Sequence, residues 1–120
     1  MSGRAVISLT TGLEDPERVT VALLMAVGAA ESGRPTVTFL AKEAVRLAQI
    51  GFARGTACDG CPTIPSLLER YAASGGRLLA CGICVQAKGL DPGQLADNAE
   101  VGGTVQLWEW IGEGATTFSF

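Results

Sequence analysis

The chain has 120 residues, a length that suits one compact domain over residues 1–120. Its formal net charge is −3 and its nine basic residues form no cluster, which argues against a nucleic-acid-binding face and a surface for anionic membranes. The sequence contains no histidine, so Cys–His and Ser–His nucleophile pairs and histidine-based catalytic zinc sites are excluded.

The apolar content predicts a chain that associates with itself. Charged residues make up 18% of the sequence, below the roughly 25% that is usual for a soluble domain, while 48% of the residues are hydrophobic. Part of the surface is therefore expected to be covered by another subunit. A homo-oligomer is the simplest assembly that provides this cover.

The sequence also predicts a cytoplasmic protein with no membrane segment. The longest apolar stretch, "VTVALLMAVGAA" (Val19 to Ala30), is too short to span a bilayer and suits a buried helix. The opening "MSGRAVISLTTG" lacks the pattern of a signal peptide. In the cytoplasm thiols stay reduced, so paired cysteines there more often serve redox, sulfur or metal chemistry than structural bridges.

Strands and helices alternate along the first half of the chain. "RAVISL" (Arg4 to Leu9) predicts a buried strand. A helix follows, N-capped by Asp15, with proline at its first position, and it runs to about Glu31 with apolar residues nearly all around it. "PTVTFL" (Pro35 to Leu40) predicts the second strand, and "AKEAVRLAQI" (Ala41 to Ile50) predicts a short helix.

The middle of the chain begins with a glycine-containing loop, Gly51 to Pro62, that holds "CDGC". A helix is predicted from about Thr63 to Ser74, and "RLLAC" (Arg77 to Cys81) predicts the third strand. "LDPGQL" repeats the Asp-Pro start of a helix at Asp91.

The last predicted elements are a short strand near Val101, a helix over "GTVQLWEWIG" (Gly103 to Gly112) and a strand over "ATTFSF". One side of this helix should face the sheet. Its other side is apolar enough either for a subunit contact or for ordinary core packing, and both interpretations stay open. The alternation of strands with helices predicts an α/β domain with a mainly parallel sheet.

Two C-x₂-C pairs, Cys58/Cys61 and Cys81/Cys84, are the main candidates for chemistry. Functional sites of parallel sheets gather at the carboxyl ends of the strands, and Cys81 ends the third strand. The helix that precedes this strand must run antiparallel to it, so its N-terminus, just after Cys61, lies near the same edge. We therefore expect all four thiols at one edge of the sheet.

Helix N-termini favour a thiolate over a thiol, and both Cys81 and Cys61 are predicted to lie where this effect acts. Lys88 is a candidate for additional positive charge, although a solvated surface position explains a lysine equally well. A thiolate is the species that attacks a sulfur donor or binds a metal ion.

Three interpretations of the cysteines remain open from the residues alone. They are buried core residues, or a four-cysteine zinc site, or a reactive thiol site that carries sulfur or electrons. The spacing C-x₂-C-x₁₉-C-x₂-C lies within the range of zinc sites. A predicted helix and strand separate the two pairs, however, and the core of the domain needs no metal for stability.

The chain resembles the DsrE/DsrF-like family, which includes the TusD-type sulfur relay subunits. The resemblance spans nearly all 120 residues and rests on "ISLTTGLEDPERVTVALLMAVGAAESG", "VTFLAKEAVRLA", "LLACGICVQAKGL" and the closing helix and strand through "TTFSF". Its most specific part is Cys81, which lies eight positions before Gly89, a glycine that follows the basic Lys88.

The resemblance implies a three-layer α/β/α sandwich around a five-stranded, mainly parallel sheet, assembled as a trimer or hexamer. It implies that Cys81 accepts sulfane sulfur as a persulfide and passes it on, with sulfur-donor and sulfur-acceptor proteins as partners and without a cofactor. The hypothesis is therefore a sulfur carrier or sulfurtransferase-type protein. In it Cys84 is a resolving or supporting thiol, Cys58 and Cys61 are auxiliary thiols, and Lys88 supplies supporting charge.

The additional cysteines depart from the simple relay pattern, because a carrier of one sulfur atom needs only one thiol. The alternative hypothesis is a non-enzymatic oligomer that binds zinc or an iron–sulfur cluster, or that performs thiol redox chemistry. It would use the Cys58/Cys61 and Cys81/Cys84 pairs together.

Overall fold

The computed structural model describes residues 3–120, which form one five-stranded, all-parallel sheet with helices on both faces. The strands are β1 (Ala5–Leu9), β2 (Thr36–Leu40), β3 (Arg77–Cys81), β4 (Ala99–Gly102) and β5 (Thr116–Ser119). Their order across the sheet is β4-β3-β2-β1-β5, and every neighbouring pair is parallel. The predicted three-layer α/β/α sandwich is confirmed.

The helices of the described chain follow the predicted order. The α-helices are α1 (Pro16–Glu31), α2 (Ile64–Ala73), α3 (Gly82–Ala87) and α4 (Thr104–Ile111), and two 3₁₀ helices span Lys42–Ala48 and Pro92–Gln94. Crossovers between parallel strands are right-handed, so α1 and α2 lie on one face of the sheet, where they pack together. The connection from β4 to β5 returns across the whole sheet, which places α4 on the opposite face.

The two segments that form 3₁₀ helices differ from their predicted helical form because they pair with each other. Gln49 and Leu95 form an isolated antiparallel bridge. In addition, the N–H of Ile50 donates to the Gln94 carbonyl at 2.9 Å, and the N–H of Ala96 donates to the Ala48 carbonyl at 2.9 Å. Gln49 and Leu95 have extended backbone in this pairing, so each helical segment ends directly before its paired residue, and the first ends short of the predicted Ile50.

The start and end of α1 agree with the sequence prediction. The Asp15 carboxylate accepts the N–H of Arg18 at 3.1 Å, and Gly33, with φ of +88°, follows the last turn. Although apolar residues nearly encircle α1, the helix is not buried all around in the single chain. One side packs on the sheet and α2, while an outer stripe stays exposed. The stripe consists of Val21, Leu24 and Met25.

The core lies mainly between the sheet and the α1–α2 layer, where alternate strand residues face the helices. Its largest fully buried side chains include Ile7, Leu9, Leu23, Leu40, Ile64 and Leu67. On the α4 side, the Arg4 guanidinium lies 5.5 Å from the centre of the Trp110 ring and donates to the Trp110 carbonyl at 2.7 Å. This contact holds the end of α4.

Within residues 3–120, no helix has both the length and the apolar character needed to cross a membrane.

Tyr71 connects α2 to the sheet and is completely buried. Its hydroxyl donates to the Arg77 carbonyl at 2.8 Å and accepts from the Thr38 hydroxyl at 3.0 Å. The ring lies so close to Gly76 that a side chain at that position would overlap it. Burial raises the pKa of Tyr71 to about 12, because the interior disfavours the phenolate.

We predict that Tyr71→Phe lowers the free energy of unfolding by about 1–3 kcal/mol, because it leaves the Arg77 carbonyl and Thr38 hydroxyl without their buried partner. Denaturant unfolding at pH 7 measures this loss. The wild type should also lose stability as the pH rises from 10 through about 12, since the unfolded chain ionises first. The loss is on the order of 2–3 kcal/mol.

The alkaline loss should be absent in Tyr71→Phe, which has no phenol to ionise. Equal alkaline losses in the two proteins would contradict the assignment to Tyr71.

Candidate functional site

Cys81 is the last residue of β3 and the N-cap of α3, so its backbone is fixed by both elements. Its side chain is half-buried. Its neighbour in the register on β4 is Gly102, and the next residue along the chain is Gly82. The thiol therefore lies at the carboxyl edge of the sheet, where the side chains of Gln106 and Leu79 fill the space next to Gly102.

Cys84 is the third residue of α3 and is also half-buried, packed against the edge of the core. The backbone N–H of Lys42, just after β2, donates to the Cys84 sulfur at 3.2 Å. Residues three apart at the start of a helix are neighbours on one face, with Cβ atoms roughly 5–6 Å apart. The thiols of Cys81 and Cys84 therefore share the same end of α3, and the structure describes both as free.

Lys42 has an unusual backbone conformation. Its φ of +54° makes it the one non-glycine residue with positive φ among residues 3–120. This left-handed region is disfavoured for a side chain with a Cβ, at about 1–3 kcal/mol, and it persists where surrounding structure fixes it. The same residue donates its backbone N–H to the Cys84 sulfur.

The predicted supporting charge, Lys88, is paired with a carboxylate. Its Nζ lies 2.7 Å from Oε2 of Glu43, which also accepts from Nε of Arg46 at 3.2 Å. The hydrogen bond from Lys88, and then that from Arg46, lowers the pKa of the Glu43 carboxyl below 4.5. Lys88 thus holds the end of α3 to the Lys42–Ala48 helix. Within residues 3–120, the ion pair of Lys88 is with Glu43 and not with a cysteine sulfur.

Cys58 and Cys61 form a disulfide in the loop before α2, with their Cα atoms 5.2 Å apart. The N–H of Cys61 donates to the Cys58 carbonyl at 3.0 Å, and Gly60, with φ of +74°, allows the tight turn between them. The Cys58 sulfur lies 3.6 Å from the Thr20 hydroxyl of α1. The expected thiolate at Cys61 is therefore replaced by a sulfur–sulfur bond.

The structure does not assemble the alternative four-cysteine metal site. The sulfurs of one pair bond to each other, and no group of three or more His, Cys, Asp or Glu side chains in residues 3–120 is placed to hold a metal ion. Both pairs do lie toward the carboxyl edge. Cys58 contacts the second turn of α1, which begins just after β1, while Cys84 contacts Lys42, just after β2. The two pairs are attached to different elements of that edge.

Sequence reasoning missed Lys42 and Glu43 as parts of this site. Nothing in "AKEAVRLA" marks Lys42 as left-handed, because lysine has no preference for that conformation. Nor does the sequence indicate that Glu43 pairs with a residue 45 positions later. Both contacts depend on how the Lys42–Ala48 helix packs beside α3.

A groove of about 780 Å³ lies elsewhere on the molecule. Its walls include Arg77 at the start of β3 and Asn98 just before β4, together with Arg54 and Leu68. These positions mark the amino edge of the sheet, opposite to the edge where Cys81 ends β3. The groove is therefore separate from the cysteine site.

The comparison with known proteins agrees with this architecture. The sequence model of the DsrE/DsrF-like family matches residues 4–120. The chain belongs to the DsrE/DsrF-like family. The resemblance on which the sequence prediction rests is thereby confirmed.

This DsrE/DsrF-like chain is 29% identical, over 104 residues, to the uncharacterized protein MK0008 of Methanopyrus kandleri, covering 87% of this chain and 83% of MK0008. Its fold is similar to that of the YchN protein of E. coli, with a TM-score of 0.79, 23% identity and coverage of 98% and 99% of the two chains. It is also similar to MTH1491 from Methanobacterium thermoautotrophicum, a protein of unknown function, with a TM-score of 0.69, 15% identity and the same coverage. These structures share the fold.

We predict that native protein prepared without reductant takes up two alkyl groups, on Cys81 and Cys84, and four after reduction. Only a free thiol, as its thiolate, reacts with an alkylating reagent. Mass spectrometry of the intact chain and of its peptides measures both numbers and both positions. The double variant Cys58→Ser/Cys61→Ser is the control and should give two groups in either state. Four groups on the unreduced wild type would contradict the disulfide.

Proposed function

We propose that this DsrE/DsrF-like protein carries sulfane sulfur, with Cys81 as the residue that accepts the sulfur atom and passes it on. The observation that carries the proposal is the position of Cys81, a half-exposed thiol at the carboxyl end of an inner strand of a parallel sheet. This is where α/β proteins place their reactive groups. Membership of the family supports it, because Cys81, Lys88 and Gly89 match the arrangement of members with a working thiol.

The proposed reaction is an attack by the Cys81 thiolate on the outer sulfur of a donor persulfide. A bond forms between the Cys81 sulfur and that outer sulfur, the sulfur–sulfur bond of the donor breaks, and the donor leaves as a thiolate. Cys81 then carries one additional sulfur atom. The partial exposure of Cys81 leaves this atom accessible from solvent, and the backbone of Cys81, fixed by β3 and α3, keeps it at the edge.

The remaining thiols have secondary roles in this proposal. Cys84 is the resolving or supporting thiol, and Cys58 and Cys61 are an auxiliary pair. The partners are a sulfur-donor and a sulfur-acceptor protein, the compartment is the cytoplasm, and the chemistry uses no metal. A second candidate function, thiol–disulfide exchange, is favoured by the disulfide between Cys58 and Cys61 in a solvent-facing loop.

The first prediction of the proposal is that wild-type protein takes up one sulfur atom on Cys81 from a persulfide donor. Cys81→Ser should abolish the uptake, because an alcohol is not nucleophilic enough to attack the donor, while changing one atom leaves the fold intact. Mass spectrometry of donor-treated protein, with peptide mapping, measures the uptake. Circular dichroism establishes that the variant is folded.

The double variant Cys58→Ser/Cys61→Ser, which leaves no new free thiol, is the matched control and should still take up the sulfur atom on Cys81. Uptake on Cys58 or Cys61, or undiminished uptake by Cys81→Ser, would contradict the proposal. One zinc or iron atom per chain, lost on replacement of Cys58 or Cys84, would favour the metal-binding alternative instead.

We further propose that the protein is a homo-oligomer, a trimer or hexamer as in the family. The outer side of α4 carries Val105 and Trp108, which are 71% and 69% exposed in the single chain. Trp110, by contrast, is held within the chain by Arg4. Exposed apolar side chains next to each other on a helix are typical of a subunit contact.

Light scattering coupled to size-exclusion chromatography should therefore give a mass above that of one chain at micromolar concentration. Trp108→Glu should lower this mass, because a charge at the contact would have to be desolvated. Ile50→Glu is a control on another exposed apolar residue, 65% exposed and outside α4, and should leave the mass unchanged. A monomeric wild type would overturn this proposal.

A further inference from the structure

The contact of Cys84 with Lys42 is not needed by a simple sulfur carrier. A carrier uses one thiol, and Cys81 supplies it. Yet the structure holds a second thiol at the same end of α3, and it holds that sulfur by a backbone N–H donated at 3.2 Å. The donor residue is the strained one, Lys42, with φ of +54°. Such strain is commonly retained where a site requires it.

Cys84 is also poorly explained as core filling. Its side chain is only half-buried, whereas the next residue, Val85, supplies the buried contact of α3. A hydrogen bond from N–H to sulfur is stronger when the acceptor is a thiolate than when it is a thiol. The Lys42 N–H therefore provides a fixed donor for an anionic Cys84 beside Cys81.

Ion pairs of the next residue, Glu43, help to hold the backbone at Lys42 in place. Glu43 binds Lys88 at 2.7 Å and Arg46 at 3.2 Å. The ion pair of Glu43 and Lys88 joins the start of the Lys42–Ala48 helix to the C-cap residue of α3. Along the chain, Cys84 lies between Cys81 and Lys88. The donor N–H and the acceptor sulfur are therefore held on two elements that are fixed to each other.

We infer that the Cys81/Cys84 pair reduces the bound persulfide and releases hydrosulfide, with Cys84 as the attacking thiolate and Lys42 as its positioning residue. This inference rests on the proposed loading of Cys81. It adds a reaction outcome to that proposal: the substrate class is a protein-bound persulfide, and the product is inorganic sulfide.

The atoms and electrons of the step balance without another reagent. The Cys84 thiolate attacks the inner sulfur of the Cys81 persulfide, forming the Cys81–Cys84 disulfide. The bond between inner and outer sulfur breaks, and the outer sulfur leaves as hydrosulfide with the electron pair of that bond. The two cysteine sulfurs are oxidised together and the outer sulfur is reduced. A dithiol reductant restores the free pair before another cycle.

The geometry permits this disulfide. Cβ atoms three residues apart at a helix start are roughly 5–6 Å apart. A disulfide needs Cβ atoms roughly 3.5–4.5 Å apart, so the backbone at the start of the short helix α3 must tighten slightly, beyond a side-chain rotation, before the two sulfurs bond. The C-x₂-C pair of Cys58 and Cys61 bridges the same spacing in this chain, with Cα atoms 5.2 Å apart. Formation of the new bond would replace the contact between Cys84 and the Lys42 N–H.

The experiment is a single turnover on the full chain. Protein with Cys81 and Cys84 reduced is loaded with glutathione persulfide, the excess donor is removed by gel filtration, and no reductant is added. The wild type should release about one sulfide per loaded chain and form the Cys81–Cys84 disulfide, as the balanced step requires. A sulfide electrode follows the release, and peptide mass spectrometry identifies the disulfide.

Four variants separate the roles. Cys84→Ser should load sulfur on Cys81 and keep it, with release slowed at least about tenfold. Lys42→Pro lacks the N–H and cannot adopt a φ of +54°, so it loses both the donor and the left-handed conformation, and release should slow by about tenfold. Lys42→Gly keeps the N–H and adopts positive φ readily, so release should equal that of the wild type. The double variant Cys58→Ser/Cys61→Ser should also release sulfide normally.

The outcomes distinguish this inference from the proposal on which it rests. A wild type that loads Cys81 but retains the persulfide overturns the inference and leaves sulfur carriage standing. Normal release from Cys84→Ser, or loss of release in the Cys58→Ser/Cys61→Ser variant, also overturns it. Failure of both wild type and Cys84→Ser to load Cys81 overturns the proposed function and the inference together. Thermal unfolding of Lys42→Pro shows whether its slower release reflects misfolding, and the Cys84→Ser result decides the inference in either case.

Discussion

The parallel sheet is the constraint on which the other features of this structure depend. Parallel strands pair along their whole length only if each connection crosses back over a face of the sheet, and these crossovers are right-handed. With the strand order β4-β3-β2-β1-β5, the chain must place α1 and α2 on one face and α4 on the other. The carboxyl ends of all strands then meet at one edge. Cys81 reaches that edge because it ends β3, and Lys42 because it follows β2.

The packing of the Lys42–Ala48 helix beside α3 brings the Lys42 N–H and the thiols of α3 together at this edge. The ion pair of Lys88 and Glu43 fastens the end of α3 to this helix. The Lys42 N–H then contacts the sulfur of Cys84. A surface ion pair of this kind contributes little to the free energy of unfolding. Its significance is geometric, since it joins the element that carries the thiols to the element that carries the hydrogen-bond donor.

The Cys58/Cys61 pair forms a local disulfide instead of joining Cys81 and Cys84 in one four-cysteine site. A disulfide over a C-x₂-C turn closes a loop of four residues and stabilises the fold by only about 2 kcal/mol in the chain-entropy account. It nonetheless occupies both sulfurs. The spacing of the two pairs agrees with a four-cysteine zinc site. In the structure, however, Cys58 bonds to Cys61, with their Cα atoms 5.2 Å apart. Spacing alone does not distinguish these arrangements.

The sequence by itself determined the α/β class with a parallel sheet, the order of the elements, the capping of α1 by Asp15 and the place of Cys81 at the end of β3, while the three layers followed from the family resemblance. These depend on apolar periodicity, on capping residues and on the alternation of strands with helices, all of which are local patterns. Only the tertiary structure decided that Lys42 is left-handed beside Cys84 and that Lys88 pairs with Glu43. Such contacts join residues more than 40 positions apart, and their geometry is fixed by packing between elements, which no local pattern encodes.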